Sequence, residues 1–332
     1  MDRFVSVVIP TLNSEGTLAE CLESIFSNEN PPKFEVIVVD GGSVDNTAQI
    51  AGKYPVKLLY ADKPQARQRN LGISQAAGDI IAFTDSDCKV ANVWLSTLAK
   101  QFDDPSVAGV GGSIMTPEDD PFWARCIGAL MESRLGSAGA RNSVSYMNIR
   151  DVNHNPTGNS AVRKSVLLEV GGFQDSLLKA EDVALDAKIK SKGYKLLYHP
   201  EMIVWHPRKR TLGGFAKQLF EYGRGRASVF ISYPNSLPLT YFCVAAFALG
   251  TLFSVPLYIL VVFSRPIILF GWIAYFLLVV LFSLYIGIKR GRLIFAIVLP
   301  VLACIEHFSL GLGFIIGLIR PYGRTKTVKA GA

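Results

Sequence analysis

Two carboxylates, Asp85 and Asp87 with Ser86 between them, directly follow the apolar run Ile81, Ala82, Phe83 and Thr84. A buried strand that ends in such a pair delivers oxygen ligands into one turn. Hard cations such as Mg²⁺ or Mn²⁺ bind oxygen, and a cation held there can also take the oxygens of a diphosphate and neutralise charge as that group leaves. Taken alone, Asp-x-Asp is also the make-up of a solvated turn. Asp40 ends a second apolar run, Phe34 to Val39, ahead of Gly41 and Gly42. A carboxylate in that place either accepts hydrogen bonds from a base or ribose or braces its own turn. Further along, Glu181 and Asp182 open a helical stretch where the dipole favours negative charge. They read as a helix cap or, for Asp182, as a general base taking the proton of an attacking hydroxyl. His206, after Trp205, suits a diphosphate, a metal or plain packing. No GxGxxG follows the first apolar run and no GxxxxGK[ST] occurs, which sets dinucleotide and P-loop chemistry aside.

These groups work together only if the strands that carry them end side by side. The first 110 residues alternate strand-like and helix-like segments: Val5 to Ile9, then Glu15 to Ser27; Phe34 to Val39, then Asp45 to Lys53; Val56 to Tyr60, then Gln65 to Ala76; Ile80 to Phe83, then Val93 to Phe102. Such succession predicts an α/β fold with a mostly parallel sheet flanked by helices. Its strands are short continuous apolar runs, as strands buried on both faces require. Ligands of open sheets sit beyond the carboxyl ends of the strands. That singles out Pro10, Thr11, Asn13 and Glu15 after the first strand, Asp40 and Gly42 after the second, and Asp85 to Asp87 after the fourth. Residues 117–147 turn helical and then polar around Ser137 to Ser145, a loop placed to cover an acceptor. A strand near Asn159 to Val162, helices over Lys164 to Val170 and Asp182 to Lys192, and an apolar-aromatic run from Lys195 to Trp205 complete this part.

Composition adds a location. Of the 332 residues 50% are hydrophobic, and mean hydropathy is +0.30. Between Leu237 and Ile288 the only charged side chain is Arg265. Three segments, Leu237 to Phe263, Ile267 to Ile288 and Leu293 to Ile319, are each long enough to cross a bilayer. Pro300, Glu306 and His307 interrupt the third, which therefore either crosses or re-enters. The net charge of +7 concentrates at Arg208, Lys209, Arg210, Lys217, Arg224 and Arg226, ahead of the apolar tail, and at Lys289, Arg290 and Arg292 within it. Those positions favour membrane lipid over nucleic acid as partner and place the globular part at the cytoplasmic face of the cell membrane. The N-terminal run to Pro10 is too brief for a signal peptide. From Thr211 to Ala227, Leu212, Phe215, Leu219 and Tyr222 form a stripe that reads as a helix lying in the membrane interface or as a surface helix packed on the domain. Residues 1–207 are thus a catalytic domain, 208–235 a basic amphipathic segment, 236–320 a membrane region and 321–332 a basic tail. The cysteines Cys21, Cys88, Cys126, Cys243 and Cys304 form no CxxC pair and read as reduced packing residues. Oligomeric state leaves no signal.

Taken in order, PTLNSEG, VVDGGSVDNT, RNLGISQAAGD, FTDSDC, TGNSAVRKSVLLEVGGF and AED resemble glycosyltransferase family 2 and its GT-A fold, over roughly residues 4–206. The resemblance implies that Thr11 and Asp40 contact the nucleotide base, Asp85 the nucleotide and Asp87 the metal, with Asp182 as base and Glu181 beside it. It extends the nucleotide-sugar site to Pro10, Asn13, Glu15, Gly42, Arg69 and Ser86, puts Gly158 and Asn159 on the acceptor side, and makes Asp85 and His206 further metal ligands. Processive members carry QxxRW, whereas this chain has Gln218, Leu219, Phe220, Glu221 and Tyr222, which disfavours a polymerising synthase. The expectation is a metal-dependent inverting transfer of one sugar from a UDP- or GDP-sugar to a lipid-linked or glycan hydroxyl. Transfer to polyprenyl phosphate is the neighbouring alternative, and its ionised oxygen has little need of a base. A non-catalytic nucleotide-sugar-binding membrane protein would have lost one of Asp85, Asp87 or Asp182.

Overall fold

A computed structural model describes residues 3–133, 136 and 148–322. In chain order the first elements are β1 (Phe4–Thr11), α1 (Leu18–Phe26), β2 (Lys33–Asp40), α2 (Thr47–Ala51), β3 (Lys57–Tyr60), α3 (Gln65–Gln75), β4 (Ile80–Thr84), β5 (Lys89–Val90), α4 (Trp94–Lys100) and β6 (Val107–Met115). Then come α5 (Phe122–Met131), β7 (Arg150–Asp151), β8 (Asn159–Arg163), α6 (Lys164–Glu169), α7 (Glu181–Ser191) and β9 (Lys195–Trp205). Four long helices follow: α8 (Leu212–Ser232), α9 (Thr240–Leu260), α10 (Arg265–Lys289) and α11 (Phe295–Ile319). The chain divides into two compact units, residues 3–115 with 148–207, and residues 116–133 with 208–322.

The first unit is a mixed sheet in the order β3-β2-β1-β4-β8-β6-β9-β5, with β7 on β9. Parallel pairing joins β3, β2, β1 and β4. Antiparallel β8 is inserted between β4 and β6. Alternation along β1 sends Val5, Val7 and Ile9 toward Leu18, Leu22, Trp94 and Leu98 on one face. Val8 goes with Ile37, Val39 and Phe83 toward Ile73, Val166, Leu185 and Ile189 on the other. Helices therefore cover both faces, and burial of this apolar surface is the main force holding the sheet. β6 is glycine-rich because β9 lies so close: a Cβ on Gly112 would collide with the Met202 carbonyl.

The second unit is helical, with α11 at its centre. α9, α10 and α11 are each long and apolar enough to cross a membrane. Phe215 and Leu219 of α8 are buried among Leu299, Leu302 and Ala303 of α11 and Cys126, Ile127 and Leu130 of α5. The apolar stripe of α8, read from sequence as facing a membrane interface or the globular domain, thus packs on α5 and α11. Residues 116–133 belong to this unit, although they lie within the stretch 1–207 read from sequence as the catalytic domain. The polar loop read over Ser137 to Ser145 lies outside the described residues.

Candidate active site

Thr11 and Asp40 are register partners at the carboxyl ends of β1 and β2. Both are buried, and the Thr11 hydroxyl has no hydrogen-bond partner. Asp40 Oδ1 accepts from the Ser43 amide at 3.0 Å and the Ser43 hydroxyl at 2.6 Å, which closes the turn through Gly42, whose φ is +86°. Asn13 and Glu15, read from sequence as nucleotide-sugar contacts, brace the loops. Asn13 Oδ1 accepts from the Val44 amide at 3.0 Å, and Glu15 Oε2 accepts from the Asn46 backbone and side chain at 3.1 and 2.9 Å. Across the same junction the Glu15 amide donates to Asp45 Oδ2 at 3.2 Å, and Asp45 Oδ1 accepts from the Thr47 hydroxyl at 2.5 Å. The Thr47 hydroxyl holds Asp45 below its ordinary carboxylate range. Ser86, 2.8 Å from Ser14 through the two hydroxyls, ties the third turn to the first. Pro10 is buried in β1 opposite Val39.

Beyond β4 the charges interlock. Arg69 of α3 is 2% exposed; it donates to Glu181 at 2.7 Å and to Asp85 Oδ1 at 3.2 Å, and lies over the Phe173 ring at 5.6 Å. Burial works against the guanidinium charge, but Glu181 and Asp85 more than offset it, so Arg69 binds its proton more tightly than usual. Burial pushes the Glu181 carboxyl up, with Arg69 opposing. The second oxygen of Asp85 lies beside Gly158, where an added Cβ would sit 3.2 Å away.

Asp87 Oδ1 is 3.5 Å from Nε2 of His206. The other ring nitrogen of His206 is 2.7 Å from the Pro207 carbonyl, which only accepts. Nδ1 therefore donates to that carbonyl, which leaves Nε2 facing Asp87. Ligand atoms of Asp85, Asp87, Cys88 and His206 lie within 4.8 Å of one another. Burial raises the Cys88 thiol well above its usual value, and its soft sulfur is a poor match for a hard, oxygen-seeking cation. Two carboxylates and one imidazole remain, a donor set that fits Mg²⁺ or Mn²⁺.

Asp182 opens α7 and is flanked by a residue that sequence reading does not single out. His154 Nε2 is 3.7 Å from Asp182 Oδ2, and His154 Nδ1 is 2.7 Å from Asp186 Oδ2, which also accepts from the Asn155 amide at 2.8 Å. Burial raises the Asp186 carboxyl, with His154 countering. The four-residue spacing of Asp182 and Asp186 on one helix face was the available signal; the loop around His154 has none. Asn159, read from sequence as acceptor-side, is fully buried. Its Oδ1 accepts from Trp94 Nε1 at 2.8 Å, and its amide nitrogen donates to the carbonyls of Ser113 at 2.9 Å and Met202 at 2.8 Å. These three bonds hold the side chain in the interior of the sheet.

Residues 6–170 match the family described as Glycosyl transferase family 2. Glycosyltransferase AglE of Haloferax volcanii is 31% identical over 236 residues, which cover 69% of this chain and 74% of AglE. The chain belongs to glycosyltransferase family 2. The Pre-mycofactocin glycosyltransferase of Mycobacterium tuberculosis is 29% identical over 243 residues, 70% of this chain and 49% of that protein. Among solved structures, the mannosyltransferase PcManGT from Pyrobaculum calidifontis, in complex with GDP-Man and Mn²⁺, superposes with a TM-score of 0.53 at 22% identity, over 69% of this chain and 63% of its own. The fold of this family 2 glycosyltransferase is thus GT-A-like. Its strand ends bring Thr11, Asp40, Asp85, Asp87 and Gly158 to one edge, with Arg69 and Glu181 linking them to the Asp182 end of α7.

Proposed function

We propose that this glycosyltransferase is metal-dependent and inverting, and moves a sugar from a UDP- or GDP-sugar to a hydroxyl of a lipid-linked or glycan acceptor at the cytoplasmic face of a membrane that it crosses more than once. The observation that carries this reading is the Arg69 bridge between Asp85 on one side and Glu181, next to Asp182, on the other. It joins a cation-suited cluster to a carboxylate of a different kind. Thr11 and Asp40, paired at the ends of β1 and β2, would receive the base of the donor. Asp87, His206 Nε2 and the outer oxygen of Asp85 would hold the cation, which supplies positive charge against the diphosphate as it departs. Arg69 fixes the Asp85 carboxylate. Asp182 accepts the proton of the acceptor hydroxyl while its oxygen bonds to the anomeric carbon; the bond from that carbon to the diphosphate breaks, and the leaving group keeps the electron pair. A single in-line displacement inverts the centre.

A polyprenyl phosphate oxygen is already ionised and has no proton to give up. The backing of Asp182 by His154 and Asp186 therefore favours a hydroxyl acceptor. PcManGT, similar in fold, holds GDP-Man and Mn²⁺, which makes that pair the first to try. Membranes given labelled donor with either a lipid-linked sugar or polyprenyl phosphate should form product on the former. Product on the phosphate alone sinks the acceptor assignment. Asp182→Asn should lower kcat about 10²–10⁴-fold, as loss of a general base does, while donor still raises the melting temperature. Undiminished turnover removes Asp182 from the role.

A further inference from the structure

Three helices that each crossed the bilayer would run up, down and up. The starts of α9 and α11 would then share one membrane face, and the end of α11 would lie at the other, beside the end of α9 and the start of α10. The contacts are different. Tyr241 and Phe242, at the start of α9, pack on Phe314 toward the end of α11, with ring centroids 6.0 and 5.6 Å apart. Gly311 of α11 lies against Val244 of α9 so closely that a Cβ would strike the Val244 carbonyl. At the opposite end of α11, Phe295 and Leu299 cluster with Ile286 near the end of α10. Both ends of α11 are thus level with the start of α9 and the end of α10, which are the two open ends of one hairpin.

Polar contacts fix the face. Thr116 directly follows β6 and Arg208 directly follows residue 207, so the chain leaves neither enough length to reach the far side of a bilayer. Glu132, at the end of α5, accepts from the Thr116 amide at 2.7 Å and pairs with Arg208 at 3.8 Å and Arg290 at 2.9 Å. That holds the α10 to α11 connection beside Thr116 and Arg208, where the chain enters this unit from residues 115 and 207. The far end of α11 is clasped to α8. The Tyr322 amide donates to Ser228 Oγ at 2.8 Å, and Arg224 donates to the Arg320 carbonyl at 3.3 Å and lies over the Tyr322 ring at 4.3 Å. The Tyr322 hydroxyl donates to Glu221. α8 starts just after Arg208 and carries Lys217, Glu221, Arg224 and Arg226, a load that bars it from crossing. The end of α11 stays with it.

The apolar surface of α11 has a use that requires no lipid on every side. Gly313 and Gly317 bring α8 close, and every residue from Leu302 to Gly317 is buried or partly buried. Of its most apolar window 39% is buried, against 6% for α9 and 11% for α10. We propose that only α9 and α10 cross, as a hairpin, and that α11 lies with α8 in the leaflet on the catalytic side, forming a surface for that lipid interface. Arg320 and the basic residues Arg324, Lys326 and Lys329 that follow it in sequence then fall on the catalytic side, in keeping with the positive-inside tendency. This rests on the reading of the chain as a membrane protein, but not on which compartment the catalytic unit faces.

The test uses the full chain in native membranes with a protease-cleavable tag at each terminus and a cleavage site inserted at Val262–Ser264. Sealed inverted and right-side-out vesicles are digested in parallel. Both terminal tags should be cut in the same preparation and the inserted site in the other. Terminal tags cut in opposite preparations overturn the proposal. Both tags cut only in right-side-out vesicles would leave it standing and refute the cytoplasmic placement instead.

Discussion

Arg69 is a buried cation shared by two acids, and its loss leaves the largely buried Glu181 carboxyl without its counter-charge. Breaking a buried ion pair from one side costs about 3–5 kcal/mol. Arg69→Met should lower the denaturant midpoint accordingly, while Arg69→Lys, which keeps charge but lacks the two-pronged geometry, falls between. If Asp182 is the base we propose, His154 acts through it rather than on substrate. His154→Ala should lower kcat and leave the donor KM near its normal value, with His154→Gln recovering part of the loss; an unchanged kcat contradicts an orienting role. Asn159→Leu separates a core role from an acceptor role. It strands the Trp94 indole and two carbonyls at about 1–3 kcal/mol for each buried group left unpaired, so melting temperature drops while the acceptor KM of the surviving enzyme does not move.

The loops after β1 and β2 form one element through Asn13, Glu15, Asp45 and Asn46. Asp45 titrates below its unfolded value because Thr47 hydrogen-bonds its charged form. Its stabilisation is therefore present above about pH 4 and fades as pH falls through the folded value. Asp45→Asn should lower the melting temperature at pH 7, and the gap to the unaltered enzyme should close in acid. β1, β2 and β4 were legible because strands buried on both faces are written as unbroken apolar runs, and Asp40, Asp85 and Asp87 came with them as strand ends. β6 was not, since Gly109, Gly111 and Gly112 break up its apolar run and the neighbours that crowd them, Leu196, Asn155 and Met202, are distant in sequence. The α8 stripe was legible as a stripe but not in its destination, because lipid and α11 demand the same apolar side chains. For Asn159 the family pattern fixed the position, yet only the contacts of Trp94, Ser113 and Met202 show which way it faces.

At the scale of the whole molecule, the catalytic unit gathers acid while the remainder of a chain of net charge +7 is basic. Among the described residues of the site, Asp85, Asp87, Glu181, Asp182 and Asp186 stand against the single fixed cation Arg69, and that cation is already engaged by two of them. A nucleoside diphosphate arriving alone meets like charge. Cation and donor should therefore bind as thermodynamic allies, each raising the affinity of the other by the same factor. Calorimetric titration of the GDP- or UDP-sugar with and without Mn²⁺, and of Mn²⁺ with and without the donor, should return equal enhancements. Equal donor affinity with and without the cation rules this linkage out. The acidity of the pocket would then act as a gate on order of arrival: at limiting cation the enzyme stands idle even with its sugar donor in excess.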